Sequence, residues 1–539
     1  MRHLSILLFT TVLMKVAPVH AQSFLQAWSA TGNAADGVTA LKVNSQGDAI
    51  AAVIFGDVAV VNGDTLPYPG HVYLTRLSQD SVEWIVPAGI SMNPYEVEPF
   101  DLVLDENDDI YLAGHLGPNT HVGDTLLNEP DIHNTFVAKF TSQGDLVWAK
   151  PAAMGVVAVG IDRDASGALI VGGATYGPQA VIGADTVPIL GNQGGDIIMI
   201  KLDANGDLLW YDRSGGPGWY PDFCGDVAFD PAGDIFLTGY YRSESWFDTI
   251  PMVPLFPSNP HGFVAKYSSV GHAQWVIQLA YSPHSIATDA AGNAYVAGQT
   301  PLLVEDSSIV SGYAYAEHYL AKTDGMGNIQ WVLLPNTNSF GTAWNSCTRA
   351  DGTTYVVGLH RDSLSIGPFT TLAPGLNALM VYRADSDGTV EWMALEGNTG
   401  TTSDFRGRAV AYDDDCGLVI GGTFRFSDPW SSGTAALPAA ASSDAFVLFL
   451  DACDLATEVP VIAPSGLRLH PNPATERIIL SQEGGRAILI RDAAGRVVQQ
   501  IPVTGAAQHI DVSSFARGCY IVEVVLANGG RSLGRFVKE

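Results

Sequence analysis

Along this chain apolar residues come in short runs broken by Asp, Asn and Gly, with no helical spacing between them, and such runs predict β-strands. One order recurs in Leu102-Val-Leu-Asp-Glu-Asn-Asp-Asp-Ile-Tyr-Leu-Ala-Gly114, Val227-Ala-Phe-Asp-Pro-Ala-Gly-Asp-Ile-Phe-Leu-Thr-Gly239 and Ile286-Ala-Thr-Asp-Ala-Ala-Gly-Asn-Ala-Tyr-Val-Ala-Gly298. It is a strand, an Asp/Asn/Gly turn and a second strand that ends near Gly. A more variable loop follows, then a third strand, a Gly-containing turn and a fourth strand bearing Trp, as in Phe136-Val-Ala-Lys-Phe-Thr-Ser-Gln-Gly-Asp-Leu-Val-Trp148. The unit occurs seven times.

The tryptophans set the period. Trp84, Trp148, Trp210, Trp275, Trp331 and Trp392 are spaced by 64, 62, 65, 56 and 61 residues, and five of them follow a turn glycine by four: Gly144, Gly206, Gly271, Gly327 and Gly388. A glycine there supplies the positive φ of a tight hairpin. Four short antiparallel strands per unit predict an all-β, seven-bladed β-propeller, its unit longer than a kelch or WD repeat and its surplus in the loop between strands two and three. The seventh unit lacks its Trp strand, while Phe24-Leu-Gln-Ala-Trp28 stands 56 residues before Trp84. The mature N-terminus is therefore expected to close blade seven. The seven tryptophans, Trp28 included, read as blade-packing residues because each repeats at one place in the unit.

Residues 24–453 resemble the bacterial SBBP β-propeller repeats, through the phrases Gly-Asp-Ile-Phe-Leu-Thr-Gly and Phe-Val-Ala-Lys. That resemblance implies an extracytoplasmic fold and carries no catalytic residue with it.

Both ends of the chain speak of export. Arg2, the apolar run Leu4 to Val16 interrupted by Lys15, and Val19-His20-Ala21 have the layout of a signal peptide over residues 1–21, cut between Ala21 and Gln22. No later run is long and uncharged enough for a transmembrane helix. The propeller is expected over 22–454, a Pro-containing linker over 455–466, and a small Ig-like β-sandwich over 467–539. Leu469-His-Pro471-Asn472-Pro473-Ala474, the turn holding Gly495, Gly518-Cys-Tyr520 and Gly534-Arg-Phe536-Val-Lys538 are similar to the type A C-terminal sorting domain of the type IX secretion system. The resemblance implies the type IX machinery as a partner, a Bacteroidota-type cell, and a secreted or outer-membrane-surface destination.

Charge separates these parts. The chain carries a formal net charge of −29, yet residues 22–466 hold 16 Lys+Arg against 50 Asp+Glu, and the last 73 residues are net positive. Such an acidic body repels phosphates, which excludes nucleic acid as a partner.

Little in the sequence points to chemistry. Asp105 to Asp109, Asp162 to Asp164, Asp385 to Gly388 and Asp413 to Asp415 suggest a structural calcium, but no twelve-residue EF-hand pattern is present, and Asp in such places caps turns through its own backbone. His115, His121, His133, His261 and His318 stand singly, without zinc spacing. There is no nucleophile elbow and no phosphate loop. No catalytic, cofactor or metal residue is nominated. Cys416 and Cys453, at the facing ends of two strands of blade seven, are expected to form a disulfide, and Cys224 and Cys347 to be buried thiols. Trp219-Tyr220, Tyr240-Tyr241, Trp246, Tyr313 and Tyr315 fall in the long loops, where binding is expected. The expectation is a non-catalytic binding or adhesion module for a glycan or protein. The alternative is a polysaccharide hydrolase or lyase, which would gather carboxylates or a His–metal cluster at the central channel.

Overall fold

The computed structural model describes residues 24–30, 36–56, 60–61, 64–66, 71–90, 97–127, 133–191, 195–254, 260–279, 281–305, 308–335, 339–398, 403–413, 417–440, 442–451, 468–470, 474–481, 485–491, 497–502, 507–526 and 531–538. Ala21, Gln22, the linker, Cys416, Cys453, Pro471, Asn472, Pro473 and Gly495 lie outside these residues.

Seven four-stranded antiparallel blades are present, with no helix among the described residues. From the axis outward, blade 1 is Gly37–Val43, Ala49–Phe55, His71–Leu77 and Val82–Gly89. The innermost strands of blades 2 to 7 are Val97–Leu104, Val156–Arg163, Phe223–Phe229, Ser282–Thr288, Gly341–Thr348 and Asp404–Tyr412. Each innermost strand touches the next, and Asp404–Tyr412 touches Gly37–Val43, so the ring is closed. The outermost strand of blade 7 is Phe24–Ala30, paired antiparallel with Asp444–Asp451.

Second strands such as Ile110–Leu116, Leu169–Thr175 and Thr354–His360 are buried at every residue. They are flanked by strands on both edges and by neighbouring blades on both faces, and so read as continuous apolar runs instead of alternating ones. The outermost strands are mostly half-buried or exposed.

The tryptophans couple blades. Trp210 Nε1 donates to Ser269 O in blade 4, Trp275 to Gly325 O in blade 5, Trp331 to Ser386 O in blade 6, and Trp28 to Ser78 O across the ring closure. Each turn glycine lies beneath the indole of the preceding blade: a Cβ on Gly206 would stand 2.7 Å from Trp148, and one on Gly388 2.8 Å from Trp331. The glycine is thus required twice, by its φ and by the ring above it. Trp392 has no such hairpin to meet, because blade 7 takes its last strand from the N-terminus; it is buried instead at 4 % exposure.

The lysine of Phe-Val-Ala-Lys, and of the corresponding Tyr319-Leu-Ala-Lys322, has an equally regular task. Lys139 pairs with Asp105 and Asp109 over the Tyr111 ring, Lys266 with Asp230 and Asp234 over Phe236, and Lys322 with Asp289 over Tyr295. Within each blade it ties the third strand to the first turn.

The variable loop between strands two and three is more regular than its sequence indicates. In most blades it is a separate hairpin, such as Thr120–Val122 with Thr125–Leu127 or Ser245–Phe247 with Ile250–Met252. His121 exchanges backbone hydrogen bonds with Ile90, and Trp246 with Gly215, at the end of the preceding blade's outer strand. The hairpins bridge outer edges that would otherwise be open to other strands.

Residues 456–539 form a separate compact unit. Two antiparallel sheets, one of three strands and one of four, enclose Ile478, Leu480, Ile488, Ile490, Val522 and Val524. Tyr520 stacks on Phe536 at 5.4 Å and donates to Ala516 O, while Gly518 pairs with Lys538, which is 8 % exposed.

Candidate functional site

Every innermost strand carries a β-bulge at one position of the repeat: between Val38 and Ala40, Pro99 and Asp101, Ala158 and Gly160, Cys224 and Asp226, Pro283 and Ser285, Ala343 and Asn345, and Gly407 and Ala409. A bulge adds an unpaired residue and re-aims its side chain. Thr39, Gly225, His284, Trp344 and Arg408 are such residues, and all five line one cavity of about 690 Å³ at the upper mouth of the axial channel. The glycine that closes the second-strand motif permits this. A Cβ on Gly239 would stand 2.0 Å from Phe223 O, and one on Gly358 1.9 Å from Thr342 O, each being the carbonyl that leads into the bulge.

On blades 5 to 7 the bulges build a stack. The His284 and Trp344 rings lie 5.0 Å apart and 15° from parallel, and the Arg408 guanidinium lies 4.2 Å from the Trp344 ring. His284 is held by Ala343 O and Ser282 Oγ, and burial lowers its pKa. Arg406 is paired with Asp404, whereas among the described residues Arg408 has no ion-pair partner. Across the cavity Phe223 and Tyr240 lie 5.2 Å apart, and Arg242 covers both Tyr240 and Tyr220. The rim is therefore planar, apolar and cationic on a strongly acidic protein.

Further along the same strands lies a second cavity, of about 380 Å³ and of different character. Asp101, Asp162, Asp226 and Lys42 face it. Burial pushes Asp162 up to about 6 and raises Asp101 and Asp226 as well, and the Asp101 carboxylate raises Lys42. Each acid also staples two blades. Asp226 accepts the N–H of its neighbour Val227 at 2.8 Å and of Ile286 in blade 5 at 3.0 Å, Asp162 those of Arg163 and of Phe229 in blade 4, and Asp101 those of Leu102 and of Ile161 in blade 3. Two amide donors per carboxylate favour the charged form, but here desolvation outweighs them.

The lower mouth is acidic. In its turns Asp164 and Asp230 each accept two backbone amides from their own turn, as do Asp105 and Asp385 elsewhere on the same face. At Asp105, Asp164 and Asp385, in turns read as calcium candidates, Oδ1 accepts these amides, as an Asp that caps its own turn does.

The aromatics named from the long loops divide. Trp219 and Tyr220 are 66 % and 47 % exposed, Tyr240 lines the cavity, Tyr241 is fully buried, and Trp246 belongs to a hairpin docked on blade 3. Tyr313 and Tyr315 lie on the long strand Ser308–Thr323. Sequence reasoning missed His284, Trp344 and Arg408. Their one signal is shared register: each is the unpaired bulge residue directly after the partner of a second-strand glycine.

Residues 468–539 match the family described as the secretion system C-terminal sorting domain. This is a secretion signal on the chain, which is accordingly a secreted or cell-surface protein. Among curated proteins nothing matches. Similar solved structures include PorZ, a surface component of the type IX secretion system of Porphyromonas gingivalis (10 % identity, 93 % of this chain and 75 % of that one, TM-score 0.26). Others are the WD40 domain of Neurospora crassa Pan2 (7 %, 78 % and 90 %, 0.40) and an ulvan lyase of a new polysaccharide-lyase family (9 %, 77 % and 96 %, 0.42). Likenesses at this level transfer neither ligand nor activity.

Proposed function

We propose that this chain is a type IX-exported β-propeller whose upper mouth binds a ligand, a glycan foremost, as a non-catalytic adhesion module. SBBP-type repeats, the signal peptide ending at Ala21 and a Bacteroidota-type source belong to the same reading. One observation carries it: three successive bulges present His284, Trp344 and Arg408 as a planar stack facing an open cavity of about 690 Å³. Ligand sites are concave, largely apolar and given direction by a few polar groups, as this one is. The flat faces of sugar rings suit such a stack, and Arg408 offers a donor fork to a carboxylate, sulfate or hydroxyl pair.

Glycan-array binding with the purified protein tests this. Trp344→Ala and Arg408→Ala should each weaken binding at least tenfold without changing the far-ultraviolet circular dichroism. Binding that survives both substitutions would place the ligand elsewhere.

A second reading has its own support, since Asp101, Asp162 and Asp226 converge in the channel with raised pKa values, as a hydrolase or lyase site would. Sugar release from a polysaccharide, abolished by Asp162→Asn or Asp226→Asn, would put this reading first. Removal of residues 467–539 should leave the propeller folded and trap it within the cell envelope; normal surface delivery would refute the sorting role.

A further inference from the structure

Between blades 5 and 6, three side chains that the sequence holds apart meet. Glu317 and His318 lie on Ser308–Thr323, the third strand of blade 5, and His360 ends Thr354–His360, the second strand of blade 6. All three are 0 % exposed. Glu317 Oε2 stands 4.0 Å from His318 Nδ1 and 3.9 Å from His360 Nδ1, and the three donor atoms all lie within 4.8 Å of one another. These separations are too long for hydrogen bonds.

The surroundings orient the donors inward. His360 Nε2 meets Ser363 O at 3.1 Å, which makes it the N–H donor and leaves a lone pair on Nδ1. That is the outer contact a metal-bound histidine makes. The Ser339 N–H donates to Glu317 Oε1 at 2.7 Å and turns Oε2 toward the imidazoles. Among the described residues neither ring nitrogen of His318 has a hydrogen-bond partner, an expensive condition for a buried polar group. Gly341, the first residue of the innermost strand of blade 6, keeps the centre clear. A Cβ there would stand 2.6 Å from His360 Nδ1, 2.9 Å from His318 Nδ1 and 3.2 Å from Glu317 Oε2.

We propose that Glu317, His318 and His360 bind a divalent transition metal, zinc by the donor set, as a strut between blades 5 and 6. Two imidazoles and a carboxylate suit zinc at about 2.0–2.2 Å, so each donor has to move inward by only a few tenths of an ångström. Three protein donors leave the fourth position of a tetrahedral zinc to water, and full burial keeps larger ligands out, so the ion acts as a tie between the blades. Spacing rules could not find it, because its histidines are 42 residues apart in sequence and in different blades.

The test is metal content. The full-length chain, stripped with chelator and dialysed against zinc, should retain one zinc per chain by elemental analysis and melt at higher temperature than the stripped form. Cobalt in place of zinc should give the visible d–d absorption of a protein-bound ion. His318→Ala and His360→Ala should each lower retained zinc at least tenfold, and Gly341→Ala should do the same by filling the centre. Wild-type protein that retains no zinc and shows no melting shift overturns the proposal, independently of how any variant folds. Stoichiometric zinc that persists in the His318→Ala/His360→Ala double variant overturns it too.

Discussion

Gly327 and Gly233 occupy the same kind of turn and differ in one respect. In both, the glycine N–H returns to the residue three before it, Asp324 or Asp230, and φ is near +85°: 86° at Gly327 and 83° at Gly233. Above Gly327 lies the Trp275 indole, so that a Cβ would stand 2.9 Å from Cδ2 and 3.1 Å from Cε3; around Gly233 nothing lies within 4 Å. Gly233→Ala should therefore cost only the left-handed backbone term, about 1–2 kcal/mol. Gly327→Ala should add an overpacking cost of about 1–3 kcal/mol, since the ring is pinned by its hydrogen bond to Gly325 O. In a Trp275→Ala background the two substitutions should cost the same. Urea unfolding of the five variants and the parent, followed by tryptophan fluorescence and far-ultraviolet circular dichroism, gives the cycle. Equal costs in the parent, or an undiminished Gly327→Ala cost without Trp275, would refute the idea that these glycines are retained for the neighbouring blade.

Two further substitutions test the electrostatics. Lys266→Met strands a buried pair, Lys266 and Asp230 being 9 % and 4 % exposed at 2.8 Å, and should cost about 3 kcal/mol; Lys150→Met, whose partner Asp207 is 69 % exposed, should cost under about 1 kcal/mol in the same urea assay. Asp222, 2 % exposed, is pushed up to about 7 by burial while it accepts from Ser245 and the Arg242 N–H. Its folded-state value lies above the unfolded one, so the folded state keeps the proton longer and the stability this group contributes at low pH is lost as pH rises from about 4 to 7. Asp222→Asn cannot ionise, and its stability relative to wild type should climb by up to about 4 kcal/mol over that range. A difference that stays flat with pH would show that the carboxyl is charged throughout.

The repeat, its period, the four-stranded unit and the sorting tail were all legible because each rests on local chemistry: apolar runs, turn residues and terminal phrases. Even the ring closure showed, as a Trp strand missing at one end and present at the other. The site was not legible. A bulge is a mismatch between two strands, and Trp344 and Arg408 look like ordinary strand residues until the Gly358 and Gly422 pairings push them toward the axis. The loop hairpins were missed because three or four residues leave too short an alternation to count.

The sequence by itself determined what each unit is, since strand, turn and period depend on neighbours along the chain. Only the tertiary structure decided what the units do to one another. It laid the indole of one blade over the glycine of the next and brought Glu317 and His318 against His360. These are contacts between residues about 40 to 60 positions apart, made when the ring closes, and no spacing rule within a unit can contain them.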